Sequence, residues 1–400
     1  MIAPEPFFEP RGTPFSEFHR IRALTDLGHQ VDLVTYPFGQ DVTLPGLRVF
    51  RCPRPPMVRH VEIGPSLAKI PLDLSLALAA CRVALAAGPG AYDAVHSHEE
   101  GGLIGIALGW ALRVPHLYDM HSSLPQQLSN FAFSRSRIVR GVFGAIERLM
   151  IRRSRVVVVI CSTLEETVRG IDPRAQTVLI ENAPGSAGDR ATPEQAAAVR
   201  RQLDLTDATP MVLYTGTFEA YQGLDLLFDA MAIVRAARPG ARLVLAGGKP
   251  PQVERAREQA RGAGIEDVTL FAGERPAADI PSYLLAADVL VSPRSRGTNT
   301  PLKIYQYLRS GKPIVATRLV THTQVLSDQT AVLTGATAQE FAGGILDVLN
   351  DPRRAADVAR RALELAGTKY SYEAYLERTR QACAALMRPA SPVAVIKDLA

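Results

Sequence analysis

The sequence predicts an α/β chain built from two doubly wound, Rossmann-like parallel sheets, and three observations predict it. Short aliphatic runs recur between longer helical patterns, the signature of parallel strands joined by crossover helices. A chain of 400 residues exceeds what one hydrophobic core supports, so two domains are expected. Midway, the run Asn182-Ala183-Pro184-Gly185-Ser186-Ala187-Gly188 breaks both periods with proline, glycine and small residues, as a linker does.

The first half supplies strands over Val31–Tyr36, Ala94–Ser97, His116–Asp119, Val156–Cys161 and Thr177–Glu181. The second supplies Met211–Gly216, Arg242–Gly247, Val268–Ala272, Val289–Ser292 and Ile314–Thr317. Each set is long enough for one doubly wound domain, so the domains are placed at 1–185 and 186–368. A helix over 369–388 follows, with Tyr375, Thr379, Ala382 and Leu386 along one face. Only Met1-Ile2-Ala3 precede Pro4, so the first strand is very short or the natural start lies upstream.

Composition narrows the class. Hydrophobic residues at 47% and charged residues at 21% are the balance of a globular protein, and neither half reads as disordered. Cys52, Cys81, Cys161 and Cys383 stand far apart with no C-x-x-C pair, which favours free thiols in a reducing, cytoplasmic setting. The N-terminus lacks the basic-then-apolar order of a signal peptide, and the longest apolar stretch, Leu74–Gly88, reads as too short to span a bilayer. A net charge of +5 admits anionic partners, but aromatics are not interleaved with Lys and Arg, so nucleic acid is not expected.

Two segments of the second half carry phosphate chemistry. Leu213-Tyr214-Thr215-Gly216-Thr217 is a strand running into a glycine turn, and Gln222-Gly223-Leu224 opens the next helix. Such a turn lets backbone amides approach a phosphate, or it only packs the sheet. The second segment runs from Ser292 to Leu308. A strand ends at Ser292, a polar loop with Arg294, Arg296 and Gly297 follows, and Pro301 suits the first turn of a helix that contains Lys303. Three cations and a helix N-terminus converge there as an anion cradle; a solvated basic loop is the alternative.

In the first half, the turn-rich loop Phe8–Pro14 contains Arg11, Gly12 and Thr13, where backbone and charge could close over a ligand. His96-Ser97-His98-Glu99-Glu100 and Tyr118-Asp119-Met120-His121-Ser122-Ser123 end two strands, at the edge where open α/β sheets hold ligands. His98 and His121 at parallel strand ends are candidates for contact with a hydroxylated substrate, against a purely structural role for each. No third ligand lies at a helpful spacing beside His96 and His98, so no metal is expected, and no cofactor is called for. Finally, Arg135, Arg137, Arg140, Arg148, Arg152, Arg153 and Arg155 crowd the stretch 131–155 among Phe131, Phe133, Ile138, Val142, Phe143, Ile146 and Leu149. This stretch either packs on the sheet with its arginines in solvent or lies against anionic lipid at the inner membrane face.

These segments resemble the GT-B fold glycosyltransferases, specifically the retaining group called glycosyltransferase family 4. The likeness runs through Gly12, Leu27-Gly28-His29-Gln30-Val31, Tyr92 to His98, the linker at Asn182, Tyr214-Thr215-Gly216-Thr217, Leu285 to Pro293 and Ser310 to Thr317. It implies transfer of a sugar from a nucleotide diphosphate donor to a hydroxyl acceptor with retention, the donor on the second domain and the acceptor on the first. It also implies that the last helix crosses back to the first domain and that His121 faces the donor sugar. The family's paired glutamates, spaced E-x7-E, map onto Thr298 and Gln306, and its phosphate-binding Arg and Lys map onto Thr217 and Gln222.

The positive charge a diphosphate needs is then assigned to Lys303, Arg294 and Arg296, with Gln306 on the ribose. The expected site has His121 and Lys303 as catalytic residues. Its donor contacts are Gly12, Thr13, Gly216, Thr217, Gln222, Arg275, Arg294, Arg296, Thr298, Asn299, Thr300, Pro301, Leu302 and Gln306. Arg11, His98 and Glu99 are assigned to the acceptor side. A sugar-nucleotide epimerase and a catalytically silent binding protein are the alternatives on the same fold.

Overall fold

A computed structural model describes residues 1–9, 12–56, 58–61, 66–130, 136–181 and 191–388. Arg11, the linker at 182–188 and the residues Phe131, Phe133 and Arg135 lie outside the described residues. The chain divides into two compact units, one of Met1–Ile180 with the chain from Leu376, the other of Glu181–Tyr375.

The first unit holds strands β1 (Ile2–Ala3), β2 (Val31–Thr35), β3 (Leu47–Arg51), β4 (Val95–His98), β5 (His116–Met120), β6 (Val156–Val159) and β7 (Thr177–Leu179). They pair in parallel in the order β3-β2-β1-β4-β5-β6-β7. Its helices are α1 (Gly12–Asp26), α2 (Lys69–Ala87), α3 (Gly102–Leu112), α4 (Leu124–Asn130), α5 (Arg137–Arg153) and α6 (Ser162–Ile171). The run Val156–Val159 is buried on both faces, as a central parallel strand must be.

The second unit holds β8 (Met211–Thr215), β9 (Arg242–Ala246), β10 (Thr269–Gly273), β11 (Val289–Ser292), β12 (Ile314–Thr317) and β13 (Val332–Thr334), parallel in the order β10-β9-β8-β11-β12-β13. Its helices are α7 (Pro193–Gln202), α8 (Leu224–Ala237), α9 (Pro250–Gly262), α10 (Ile280–Ala286), α11 (Leu302–Arg309), α12 (Val320–Thr323), α13 (Ala338–Asn350) and α14 (Pro352–Thr368). Side chains alternate across this sheet. Leu213, Val244 and Leu290 join one core, and Val212, Tyr214, Leu243, Val289 and Val291 join the other. The last helix, α15 (Tyr372–Met387), begins in the second unit and continues in the first, with Tyr375, Thr379, Ala382 and Leu386 buried along one face.

Strand order decides where ligands go. It reverses between β1 and β4 in the first sheet and between β8 and β11 in the second, and crevices open at the carboxyl ends of such pairs. The loops after β8 and β11 hold the glycine turn and the basic segment. Those after β1 and β4 hold Glu5, His98 and Glu99.

One expectation is corrected. The apolar stretch read as Leu74–Gly88 belongs to the longer α2, which by length and composition alone is sufficient to cross a membrane. Its inner residues Leu72, Leu76, Ala79, Ala80 and Ala84 are buried in the first unit, while Ile70, Leu74, Leu78 and Leu85 are exposed.

Candidate active site

In the second unit, β8 ends at Thr215 and the chain turns at Gly216 with a positive φ of 130°. A side chain at Gly223, also at positive φ, would overlap the carbonyl oxygen of Pro293, so only glycine lets the two loops meet. The loop after β11 is pinned from inside. His322 bonds Ser292 Oγ through Nε2 at 2.8 Å and the Thr317 carbonyl through Nδ1 at 2.8 Å, while Thr317 Oγ1 donates to the Arg294 carbonyl at 2.6 Å. Burial holds the His322 imidazole down at a pKa of about 3, so it is a neutral strut.

Pro301 occupies the N-cap of α11 in an extended conformation with no side-chain cap. No side-chain oxygen therefore covers the first-turn amides, of which that of Ile304 donates to the Pro301 carbonyl at 3.0 Å. Lys303 sits in that turn, 7% exposed, with Nζ 3.7 Å from the centre of the Tyr214 ring. Nζ has no hydrogen-bond partner among the described residues, and neither does the buried Oγ1 of Thr300. Burial, reinforced by the nearby Arg294 guanidinium, pulls the Lys303 ammonium well below the usual lysine range. This is a lysine head group held out of water with no hydrogen-bond partner among the described residues.

The other assigned donor residues divide. Arg294 lies 5.0 Å over the Tyr221 ring and donates to the carbonyls of Arg296 at 2.8 Å and Asn299 at 3.2 Å, so part of its fork shapes the loop. Arg296 is exposed, and its backbone carbonyl is the one that Arg294 Nε reaches. Thr298 and Asn299 are half-buried, with the Thr298 carbonyl accepting from Gln324 Nε2 at 2.7 Å. Gln222 is buried, its Oε1 without a hydrogen-bond partner among the described residues, and Gln306 is half-buried on α11. Arg275 lies 5.8 Å from the Tyr283 ring, and its Nε too has no partner among the described residues. Gly12 and Thr13 belong to the other unit, at the start of α1, where Gly12 is exposed. Tyr214 and Tyr221 were missed by sequence reasoning, which registered cations but not the rings beneath them.

In the first unit, Asp119 at the end of β5 is fully buried and gathers three cations or imidazoles. Arg20 Nε donates to it at 2.9 Å, His121 Nε2 lies 3.2 Å away and His96 Nε2 3.4 Å away. Burial alone would raise this carboxyl, but Arg20 and His121 override it and hold it well below the usual range. The His98 and His121 rings meet edge to face with centres 4.3 Å apart, and burial keeps His98 neutral. Glu99 accepts from Ser122 Oγ at 3.0 Å.

Beside them, Glu5 and Glu17 approach His98 at 3.8 and 4.0 Å. All three are buried, and their ligand atoms lie within 4.8 Å of one another. The sequence shows no third ligand for His98; the fold supplies two, so among the described residues this trio is the group that could hold a metal ion. Glu17 escaped notice although it lies one helical turn before buried Ile21, on the inner stripe of α1.

Burial, then Asp119, raises the Glu17 carboxyl to about 8, against the opposing pull of Arg20 and the amino terminus. The unfolded chain sheds that proton near 4.5 while the folded one keeps it to about 8, so stability falls as pH rises across this window and levels above it. Glutamine has no proton to lose. Glu17→Gln is therefore expected to be near neutral at about pH 5 and more stable than the parent by a few kcal/mol at about pH 8, read by denaturant unfolding at both pH values.

Both units match known proteins. The model described as glycosyl transferases group 1 matches residues 196–365, and that of a glycosyl transferase 4-like domain matches residues 19–183. A D-inositol 3-phosphate glycosyltransferase of Geodermatophilus obscurus is 29% identical over 374 residues, covering 87% of this chain and 78% of that protein. Sucrose-phosphate synthase of Thermosynechococcus elongatus superimposes with a TM-score of 0.77 at 21% identity, over 96% of this chain and 98% of its own. HepE of Anabaena, solved in complex with UDP and glucose, gives a TM-score of 0.74 at 19% identity over 96% and 98%. With both units matched in sequence and the whole chain matched in fold, the protein belongs to the glycosyl transferases group 1 and is a glycosyltransferase of the GT-B fold.

Proposed function

We propose that this glycosyltransferase moves a sugar from a nucleotide diphosphate to a hydroxyl acceptor with retention of configuration and without a required metal, in cell-surface glycan or glycolipid synthesis on the cytoplasmic side. The observation that carries the reading is Lys303, a buried amine with no hydrogen-bond partner among the described residues, set at the start of α11 where no side chain caps the helix. Negative charge builds on the leaving diphosphate as the glycosidic bond breaks. A cation already desolvated and oriented stabilises that charge without reorganising at the moment of reaction.

In this reading the Lys303 Nζ, the first amides of α11 and Thr300 Oγ1 hold the diphosphate. Gln222 contributes a polar edge, and Gln306 accepts from a ribose hydroxyl through its carbonyl oxygen. His121, oriented by Asp119, is assigned to the donor sugar, and His98 and Glu99 to the acceptor side. The placing of the domains at 1–185 and 186–368, with a helix over 369–388, belongs to the same proposal.

The test is a thermal-shift panel of nucleoside diphosphates and their sugars, UDP sugars first because HepE was solved with UDP, followed by product analysis with the donor that binds. A true donor at about one hundred times its Kd stabilises the fold by about 2.7 kcal/mol. Expected are a shift with one nucleotide series, free nucleoside diphosphate after transfer, and an unchanged anomeric configuration. Sugar remaining on the nucleotide, or binding without transfer over a panel of acceptors, would overturn the reading.

A further inference from the structure

We infer that the first unit docks onto an anionic lipid surface through the outward faces of α2, α3 and α5. Sequence reading raised only the arginine-rich stretch that becomes α5. The fold adds two neighbours that carry most of the apolar surface.

The three helices lie side by side. Crossovers from β3 to β4, β4 to β5 and β5 to β6 all progress in one direction along the sheet, so right-handed connections put α2, α3 and α5 on the same side. Ile104 and Leu108 of α3 pack into the cluster of Leu72 and Leu76 from α2, and Ile106 packs into that of Met150 and Ile151 from α5.

Their outer faces are unusual. Ten of the thirteen large apolar side chains exposed among the described residues lie on or beside these helices. Ile70, Leu74, Leu78 and Leu85 form a stripe at helical spacing along α2. Trp110, 84% exposed on α3, and Ile138, Val142 and Leu149 on α5 extend it. A soluble surface rarely leaves so much contiguous apolar area in water.

Charge selects the occupant. Arg137, Arg140, Arg148, Arg152 and Arg153 are all exposed on α5, and no residue of α2, α3 or α5 is an exposed carboxylate, since Glu147 is buried and Asp73 half-buried. A second copy seated symmetrically on this face would meet a surface with the same positive sign and no acid to answer it. Anionic headgroups answer the arginines while leucines and the indole enter the acyl boundary.

Trp110 is the only tryptophan in the chain and reports directly on the event. Vesicles of phosphatidylcholine with roughly 30% phosphatidylglycerol are expected to sediment the protein and shift its emission to the blue, while phosphatidylcholine alone does neither and added salt reverses the binding. Leu74→Ser/Leu78→Ser and Arg140→Glu/Arg148→Glu change only exposed positions, so both should unfold like the parent, yet each should weaken vesicle binding by about tenfold or more. Protein that stays in the supernatant with unshifted emission at low salt overturns the inference. So does a dimer in solution that the leucine pair dissociates, which would make this face a contact between copies. Either failure leaves the donor-site reading untouched, because the face and the diphosphate site belong to different units.

Discussion

Lys303→Met is expected to make the ligand-free protein more stable and to lower turnover by about two to three orders of magnitude. The two effects have one cause. In the free protein the Lys303 ammonium is buried against the Tyr214 ring with no hydrogen-bond partner among the described residues, and the Arg294 guanidinium repels it. A buried polar group without a partner costs about 1–3 kcal/mol, which an isosteric apolar chain recovers. Bound diphosphate turns the same ammonium into a paired charge, so the cost is repaid only in the complex and most fully as the leaving group gains charge.

The pKa direction supplies an independent readout. An anion brought to Lys303 raises its depressed pKa, so whatever share of this residue is uncharged in the free protein takes up a proton on donor binding. Calorimetry of nucleotide binding in two buffers of different ionisation enthalpy should detect that uptake in the parent and not in Lys303→Met. Full turnover in the variant would sink the cradle assignment, and a large loss of stability would show that the ammonium is paired in the free state.

Much of this architecture is legible in the sequence, and the exceptions have physical reasons. The central strands β6, β8 and β11 are buried on both faces, and such strands are continuous aliphatic runs. The edge strand β3 was not seen, because Arg48 and Arg51 interrupt the aliphatic residues of a half-buried stretch. The short β13, Val332–Thr334, has too few residues to show a period. In the site, Lys303 was legible because a lysine at a helix start after a glycine loop is a local pattern. Its Tyr214 platform was not, since that contact joins β8 to α11 across the sheet. Arg296 is read as a phosphate ligand from its place in the sequence, and its backbone also serves the loop by accepting from Arg294 Nε at 2.8 Å. Asp119 has no role legible in the sequence, because its partner Arg20 comes from helix α1, 99 residues away in the chain.

That pairing carries the second large effect. Asp119→Leu is expected to cost the first unit about 3–5 kcal/mol, the range for breaking a buried ion pair from one side. Arg20 is 4% exposed and Asp119 not at all, so water cannot replace the lost carboxylate. The desolvation cost of Arg20 then stands with its main compensation gone. Adding Arg20→Met should recover most of the loss, since removing both charges also removes the desolvation that made each depend on the other. Denaturant unfolding of the two single variants and the double variant reads this as a coupling energy. Activity should not recover with stability, because the carboxylate also lies 3.2 Å from His121 Nε2 and fixes its ring. A double variant that regained turnover along with stability would reduce Asp119 to a folding element and remove His121 from the proposed donor-sugar contact.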